Sequence, residues 1–279
     1  MPKVTSVKDD PDLINYERRS FIDKKFPNDL TDRNYSNSIF LRLSAKERSF
    51  KNIDFRYCIF DSCYLRDASF DTCNFIGCRF ISTNLHGATF DGCQFDYATF
   101  EHTSIDESIL KNSCPAFENV RMRFARSLRV NYKQLGDSRA VNSAVRVELD
   151  AYKMHLWKAW RSTETYHRKK YKGFLRFNMF LQWLRFKVFD WIWGNGESLA
   201  KLGRFVCLIL LTIGLLDFVF SGNTSLRCLG SSLLRSFPIF FGVISPPAFS
   251  DAFLTTFVLA RLICFGLFMA ILLKRLDWR

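Results

Sequence analysis

Nine cysteines and four histidines are the side chains with the richest chemistry in this chain. Five of the cysteines (Cys58, Cys63, Cys73, Cys78 and Cys93) stand five residues apart or a multiple of five. Thiols in a regular array can hold a metal ion or form a disulfide framework. Zinc spacing is absent, however, and His86, His102, His155 and His167 are scattered rather than clustered. The chain also shows no nucleophile motif, phosphate loop or paired-carboxylate site. An enzyme is therefore not expected, and neither is a cofactor or a metal. Two other groups invite chemistry. Asp217 and Arg261 interrupt long apolar runs. Charges in such places are costly and usually face a bundle interior or a water-filled path.

The elements that position these residues follow from periodicity. From residue 50 to 110 a large apolar residue recurs every fifth position: Phe50, Phe55, Phe60, Leu65, Phe70, Phe75, Phe80, Leu85, Phe90, Phe95, Phe100, Ile105 and Leu110. Phe40 shares the register, with Ala45 as its weak position. From Phe60 onward a small residue sits two before each large one, and the five cysteines occupy that slot. A helix repeats every 3.6 residues and a strand every 2, so neither produces this pattern. A fixed repeat marks a solenoid, whose units bury their apolar residues by stacking on one another. With one turn per repeat, four repeats close a square coil, and the coils stack at roughly 4.8 Å. The cysteines then read as small buried hydrophobes rather than ligands. Free thiols suit a reducing, cytoplasmic setting.

The blocks "CIFDS", "ASFDT", "CNFIG", "ATFDG" and "ATFEH" resemble the pentapeptide-repeat family. That resemblance implies a right-handed quadrilateral β-solenoid over residues 36–115. Residues 1–35 have no apolar core, so no signal peptide is expected. They read as a polar arm or cap across the first coil.

Charge points to a partner. The net +13 is concentrated in residues 118–204, which hold nineteen basic and seven acidic residues. The solenoid is mildly acidic and offers no phosphate-binding face, so nucleic acid is not the expected partner. The basic excess sits just before a long apolar run, which favours a membrane surface. Residues 116–173 read as a helical linker, with Gly136 as a stop and Asp137 or Ser138 as the next N-cap. In the second helix Ala140, Ala144, Val147, Ala151 and Met154 share a face. Residues 174–198 read as an interfacial helix, with Arg176, Arg185, Lys187, Trp191 and Trp193 at the headgroup layer.

Residues 199–279 contain two apolar runs, 205–220 and 252–273, each near the length of a spanning helix. Basic residues precede the first, and Lys274, Arg275 and Arg279 follow the second. The positive-inside rule puts both termini in the cytoplasm of a cell-membrane protein. Between the runs, "SLRCLGSSLLRSF" is expected as a short helix and "PIFFGVISPPAF" as an extended return. This region resembles the pore of the potassium-channel superfamily, T-V-G-Y-G-D followed by I-S-P. Phe241, Gly242 and the Ile244-Ser245-Pro246 tail match that pattern. Pro238 stands for the Thr, Phe240 for the first Gly and Val243 for the Asp. The filter candidates are Phe237, Pro238, Ile239, Phe240, Phe241, Gly242 and Ser245. Phe at a position needing positive φ argues against potassium selectivity, and an apolar constriction of Phe237, Phe240 and Phe241 is the better expectation. Asp217 and Arg261 either pair or, in the case of Arg261, line the pore and favour anions. The chain is thus expected to be a pore subunit of a homo-oligomer, a tetramer by analogy. The alternative is a non-conducting membrane anchor whose solenoid binds a protein partner.

Overall fold

The computed structural model describes residues 18–222, 225–247 and 249–276, the last three as backbone only. The chain divides into two compact units, Met1–His155 and Leu156–Arg279.

The first unit is the square solenoid. One side is a parallel sheet of β1 (Arg19–Ile22), β3 (Ser38–Leu41), β5 (Ile59–Asp61), β7 (Arg79–Ile81) and β10 (Thr99–Glu101). A second side stacks β2 (Leu30–Thr31), β4 (Ser49–Lys51), β6 (Ser69–Asp71) and β9 (Thr89–Asp91). The third pairs β8 (Asn84–Leu85) with β11 (Ser104–Ile105) and is extended by the bridges Lys25–Ser44, Ser44–Tyr64 and Tyr64–Asn84. The fourth is the bridge series Asn34, Asp54, Asn74 and Gln94.

A twenty-residue register puts like on like. Phe40, Phe60, Phe80 and Phe100 face one another in turn, with ring centroids 4.9, 5.0 and 5.1 Å apart. Phe50, Phe70 and Phe90 make a second column, and Phe55, Phe75 and Phe95 a third. Offset stacking adds to the burial these rings already gain. The small slot does more than fill space. The Sγ of Cys58, Cys63, Cys73, Cys78 and Cys93 each lies 2.8–3.5 Å from the carbonyl oxygen twenty-three residues earlier. Thr83 and Ser113 make the same bond through oxygen. The slot therefore takes any small residue, Ala68, Ala88 and Ala98 included, and where that residue is Cys58, Cys63, Cys73, Cys78, Cys93, Thr83 or Ser113 its side chain adds a bond between coils.

The corners explain the period. A positive φ recurs at every fifth residue: Asn37, Arg42, Glu47, Asn52, Tyr57, Ser62, Asp67, Thr72, Gly77, Ser82, Gly87, Gly92, Tyr97 and His102. Each left-handed residue turns the chain through one corner. Most are not glycine, so each costs roughly 1–2 kcal/mol, which the stacked core offsets.

Two expectations change here. Residues 19–35, read as an arm, form the first coil. Phe21 stacks on Phe40 at 5.2 Å, and Tyr35 on Phe55 at 5.9 Å. The repeat is masked because the corner after Phe26 is one residue short. Phe21 pairs with Phe40 nineteen residues on, whereas Leu30 pairs with Phe50 twenty on. Residues 1–17 lie outside the described residues. Met154, expected to share a face with Ala140, Ala144 and Ala151, is exposed while those three are buried. A repeat averaging 3.5 drifts by about 20° per heptad on a 3.6-residue helix, and two heptads separate Met154 from Ala140.

The C-terminal end of the solenoid is closed by helices. After a short α1 (Ile109–Asn112), α2 (Glu118–Gln134) crosses the last coil. Phe124 packs on Phe95 and Phe100. Ser127, Asn131 and Gln134, spaced four and three on one helical face, meet backbone groups that no further coil can bond. Phe100 N donates to Ser127 Oγ (2.9 Å), and His102 N to Gln134 Oε1 (3.2 Å). Asn131 Oδ1 accepts from Thr103 N (2.7 Å), while its Nδ2 donates to Thr103 O (2.8 Å). Gly136 ends the helix at φ 74°, and Asp137 Oδ1 accepts from Ala140 N at 2.9 Å. Helix α3 (Ser138–Arg161) follows, with Glu148 bridging Arg126 and Arg129.

The second unit continues with α4 (Thr165–Lys170), α5 (Phe174–Trp193), α6 (Leu199–Phe220), α7 (Leu226–Phe240) and α8 (Asp251–Leu276).

Candidate functional site

Helices α6 and α8 are long and apolar enough to cross a membrane. In the core of a soluble protein such helices are mostly buried. Here only 22% of the most apolar stretch of α6, and 11% of that of α8, is buried. The chain thus has the make-up of a membrane-associated repeat protein.

Helix α5 shares this exposure. Phe174, Phe177, Leu181, Leu184, Val188 and Trp191 recur every three or four residues, and all are exposed. Of the expected headgroup contacts, Arg185 and Trp191 are exposed. Arg176 is exposed, but its Nε is held by Trp160 O at 2.7 Å. Lys187 lies over the Trp183 ring at 5.9 Å. Trp193 is half-buried beside Gly196. Gly194, in the left-handed conformation, ends the helix, and Lys201 then pairs with Asp190 at 2.7 Å.

Helix α7 lies close against α6. A Cβ on Gly214 would fall 3.1 Å from Leu233 Cα and 3.4 Å from Ser232 O, so only glycine allows this approach. Ser232 and Ser236 are buried on α7 four residues apart, a small-residue spacing that suits close helices in lipid. Ile213, Ile239, Phe240 and Phe249 form the core of the packed group. Asp217, buried on α6, faces Arg235 of α7, with Oδ2 and Nη1 3.6 Å apart. Neither Gly214 nor the Asp217–Arg235 pair was singled out from sequence. The serine spacing "SSLLRS" is the signal that could have found this face.

The filter segment departs from the expected extended return. Helix α7 runs through Pro238 to Phe240. Gly242 N donates to Ile239 O (3.0 Å) and Val243 N to Pro238 O (2.8 Å), with φ of Gly242 at 75°. This is the Schellman closure of a helix, in which a left-handed glycine lets two amides turn back onto the last carbonyls. Phe237 O accepts from Phe241 N at 3.0 Å, and Phe241 O accepts from Arg261 Nη1. The carbonyls of Phe237, Pro238, Ile239 and Phe241 are therefore occupied within the chain. Phe240 is buried and cannot join a constriction, whereas Phe237 and Phe241 are exposed, as is Ser245. Asp217 and Arg261 do not pair within the chain. Each serves α7 instead, Asp217 through Arg235 and Arg261 by capping its C-terminus, where a cation is favoured. The side chains of Lys274 and Arg275, and all of Arg279, lie outside the described residues.

Titration shifts in the first unit fit its geometry. Burial pushes the Cys58 and Cys63 thiols up to about 11. The Arg56 guanidinium, 2.7 Å from Asp54, holds that carboxyl below its usual range.

Residues 49–80 and 73–112 match the family model described as pentapeptide repeats, in eight copies. The chain thus carries a pentapeptide-repeat domain. No curated protein matches it. Among solved structures, a trypsin-treated form of QnrB1, a plasmid-mediated fluoroquinolone resistance protein, is similar at 17% identity over 32% of this chain, with a TM-score of 0.16. This chain spans 62% of that structure, less than two thirds. A second trypsin-treated form of QnrB1 gives 13% identity, 31% of this chain, 79% of that one and a TM-score of 0.09. Scores this low support no inference beyond the repeats.

Proposed function

We propose that this chain is a membrane pore subunit, in which the solenoid is joined to a two-span segment that assembles with copies of itself. The observation that carries the reading is the layout of α6, α7 and α8. Two mostly exposed apolar helices flank a short helix packed on the first and ended by a tight turn. Lipid and neighbouring copies would cover the exposed faces, and α5 would lie at the interface. The path would not be a potassium filter, because the carbonyls of Pro238, Ile239 and Phe241 are already bonded within the chain. Phe237 and Phe241 instead supply an apolar constriction that opens by wetting. With both ends cytoplasmic, the solenoid becomes an assembly or sensing surface. The test is native mass in lipid nanodiscs together with ion flux into liposomes. A closed ring that conducts, with Phe241→Ala raising the flux, supports the reading. A monomer, or a ring that passes no ions, refutes it.

One observation favours a second reading. The amides of the turn after α7 bond back within the same chain, as in an anchor that conducts nothing and leaves the solenoid to hold a protein partner. In that case Phe241→Ala leaves partner capture unchanged and no flux accompanies it.

A further inference from the structure

We infer that the path through this membrane segment admits small inorganic anions, with the Arg261 guanidinium as the selecting charge. The inference rests on the pore reading above. Arg261 is the eleventh residue of α8, about 15 Å along the helix from its start. That is near the middle of a hydrocarbon core about 30 Å thick. The membrane helices hold few other charges. Asp217 is matched by Arg235, and Asp251 stands at the first turn of α8. No carboxylate pairs with Arg261 among the described residues.

The environment of Arg261 leaves its charge available. It donates to Phe241 O and lies so close to Gly242 that a Cβ there would meet Nη1 at 2.6 Å. A guanidinium has five N–H donors, so one bond leaves most of them free. The carbonyl end of α7 contributes about −0.5 of a charge, which leaves roughly half a positive charge. Arg261 is only half-buried. A guanidinium on an open face at this depth is unfavourable in lipid and favourable beside water. The turn it caps is the one that presents Phe241. The fixed charge next to the proposed constriction is thus positive, and rings of Arg or Lys favour anions. Half a charge at about 6 Å, with an effective dielectric near 20, favours an anion roughly tenfold and disfavours a cation roughly tenfold, a preference of roughly a hundredfold between them.

The experiment uses the full chain in vesicles of phosphatidylcholine and phosphatidylglycerol under a potassium chloride gradient. The expected reversal potential lies close to the chloride equilibrium value, at roughly hundredfold selectivity. Arg261→Gln brings the permeability ratio close to one, and Arg261→Lys, which keeps the charge but not the fork, retains the preference. A wild-type potential on the potassium side overturns the inference and leaves the pore reading standing. So does Arg261→Gln with an unchanged ratio. If Arg261→Gln fails to assemble, the wild-type and Arg261→Lys ratios decide. An assembled ring without current overturns the pore reading and this inference with it.

Discussion

Asn131→Ala should be the most damaging polar truncation in the first unit. Both Asn131 and Thr103 are fully buried. The amide side chain serves both backbone groups of Thr103, at 2.7 and 2.8 Å. Truncation leaves one N–H and one C=O unsatisfied, each at roughly 1–3 kcal/mol. Some relaxation toward water is expected at an end coil, so the cost should be about 2–4 kcal/mol. Ser127→Ala, which frees only the half-buried amide of Phe100, should cost about 1 kcal/mol. Tryptophan fluorescence is the wrong probe, because all six tryptophans lie at Trp157 or beyond. Hydrogen exchange at Phe100, His102 and Thr103 reads the site directly. About 3 kcal/mol corresponds to roughly a hundredfold faster exchange at Thr103. The account of α2 as an end closure is refuted if Asn131→Ala leaves that rate within threefold of the wild type, or if Asn131→Leu matches the wild type.

Two more outcomes follow from the geometry. Gly242→Ala puts a side chain at φ 75° against the Arg261 guanidinium, and should destabilise the second unit by about 1–2 kcal/mol, seen as a lower melting temperature by tryptophan emission in detergent. The buried thiols give the solenoid an alkaline limit. Burial pushes the Cys58 and Cys63 thiols up to about 11 in the folded state, above the ordinary 9.0 of a free thiol. The folded state therefore holds protons that the unfolded state releases. Their contribution is complete below pH 9 and is lost as pH rises toward 11. Denaturation midpoints taken across that window check the sign, and Cys58→Ser should shallow the slope.

Much of the solenoid was legible because its period matches no other regular structure. Phe75 announces a column before any coordinate is known. The first coil was not legible, since the short corner between Phe26 and Leu30 breaks the count by one residue. The end closure was hidden for another reason. Ser127, Asn131 and Gln134 look like ordinary helix surface until the unpaired backbone edge they meet is in view. The segment Pro238–Pro246 misled because one physical requirement has two uses. A glycine at positive φ suits a filter carbonyl and equally suits the end of a helix. Sequence resemblance cannot separate them, whereas the amides of Gly242 and Val243 turning back onto α7 do.

The i to i−23 thiol and hydroxyl bonds and the strand ladders both run from coil to coil, along the solenoid axis. The closure by α2 breaks that equivalence, because one end coil is clamped by side chains on a helix rather than by another coil. Under tension along the axis the coils are links in series, and the weakest joint gives first. A load entering through α2 falls first on the joint that Phe124, Ser127, Asn131 and Gln134 make with the last coil. That joint, held by side chains rather than by a strand ladder, is where the stack would be expected to open first under load, with the inner coils still paired to one another.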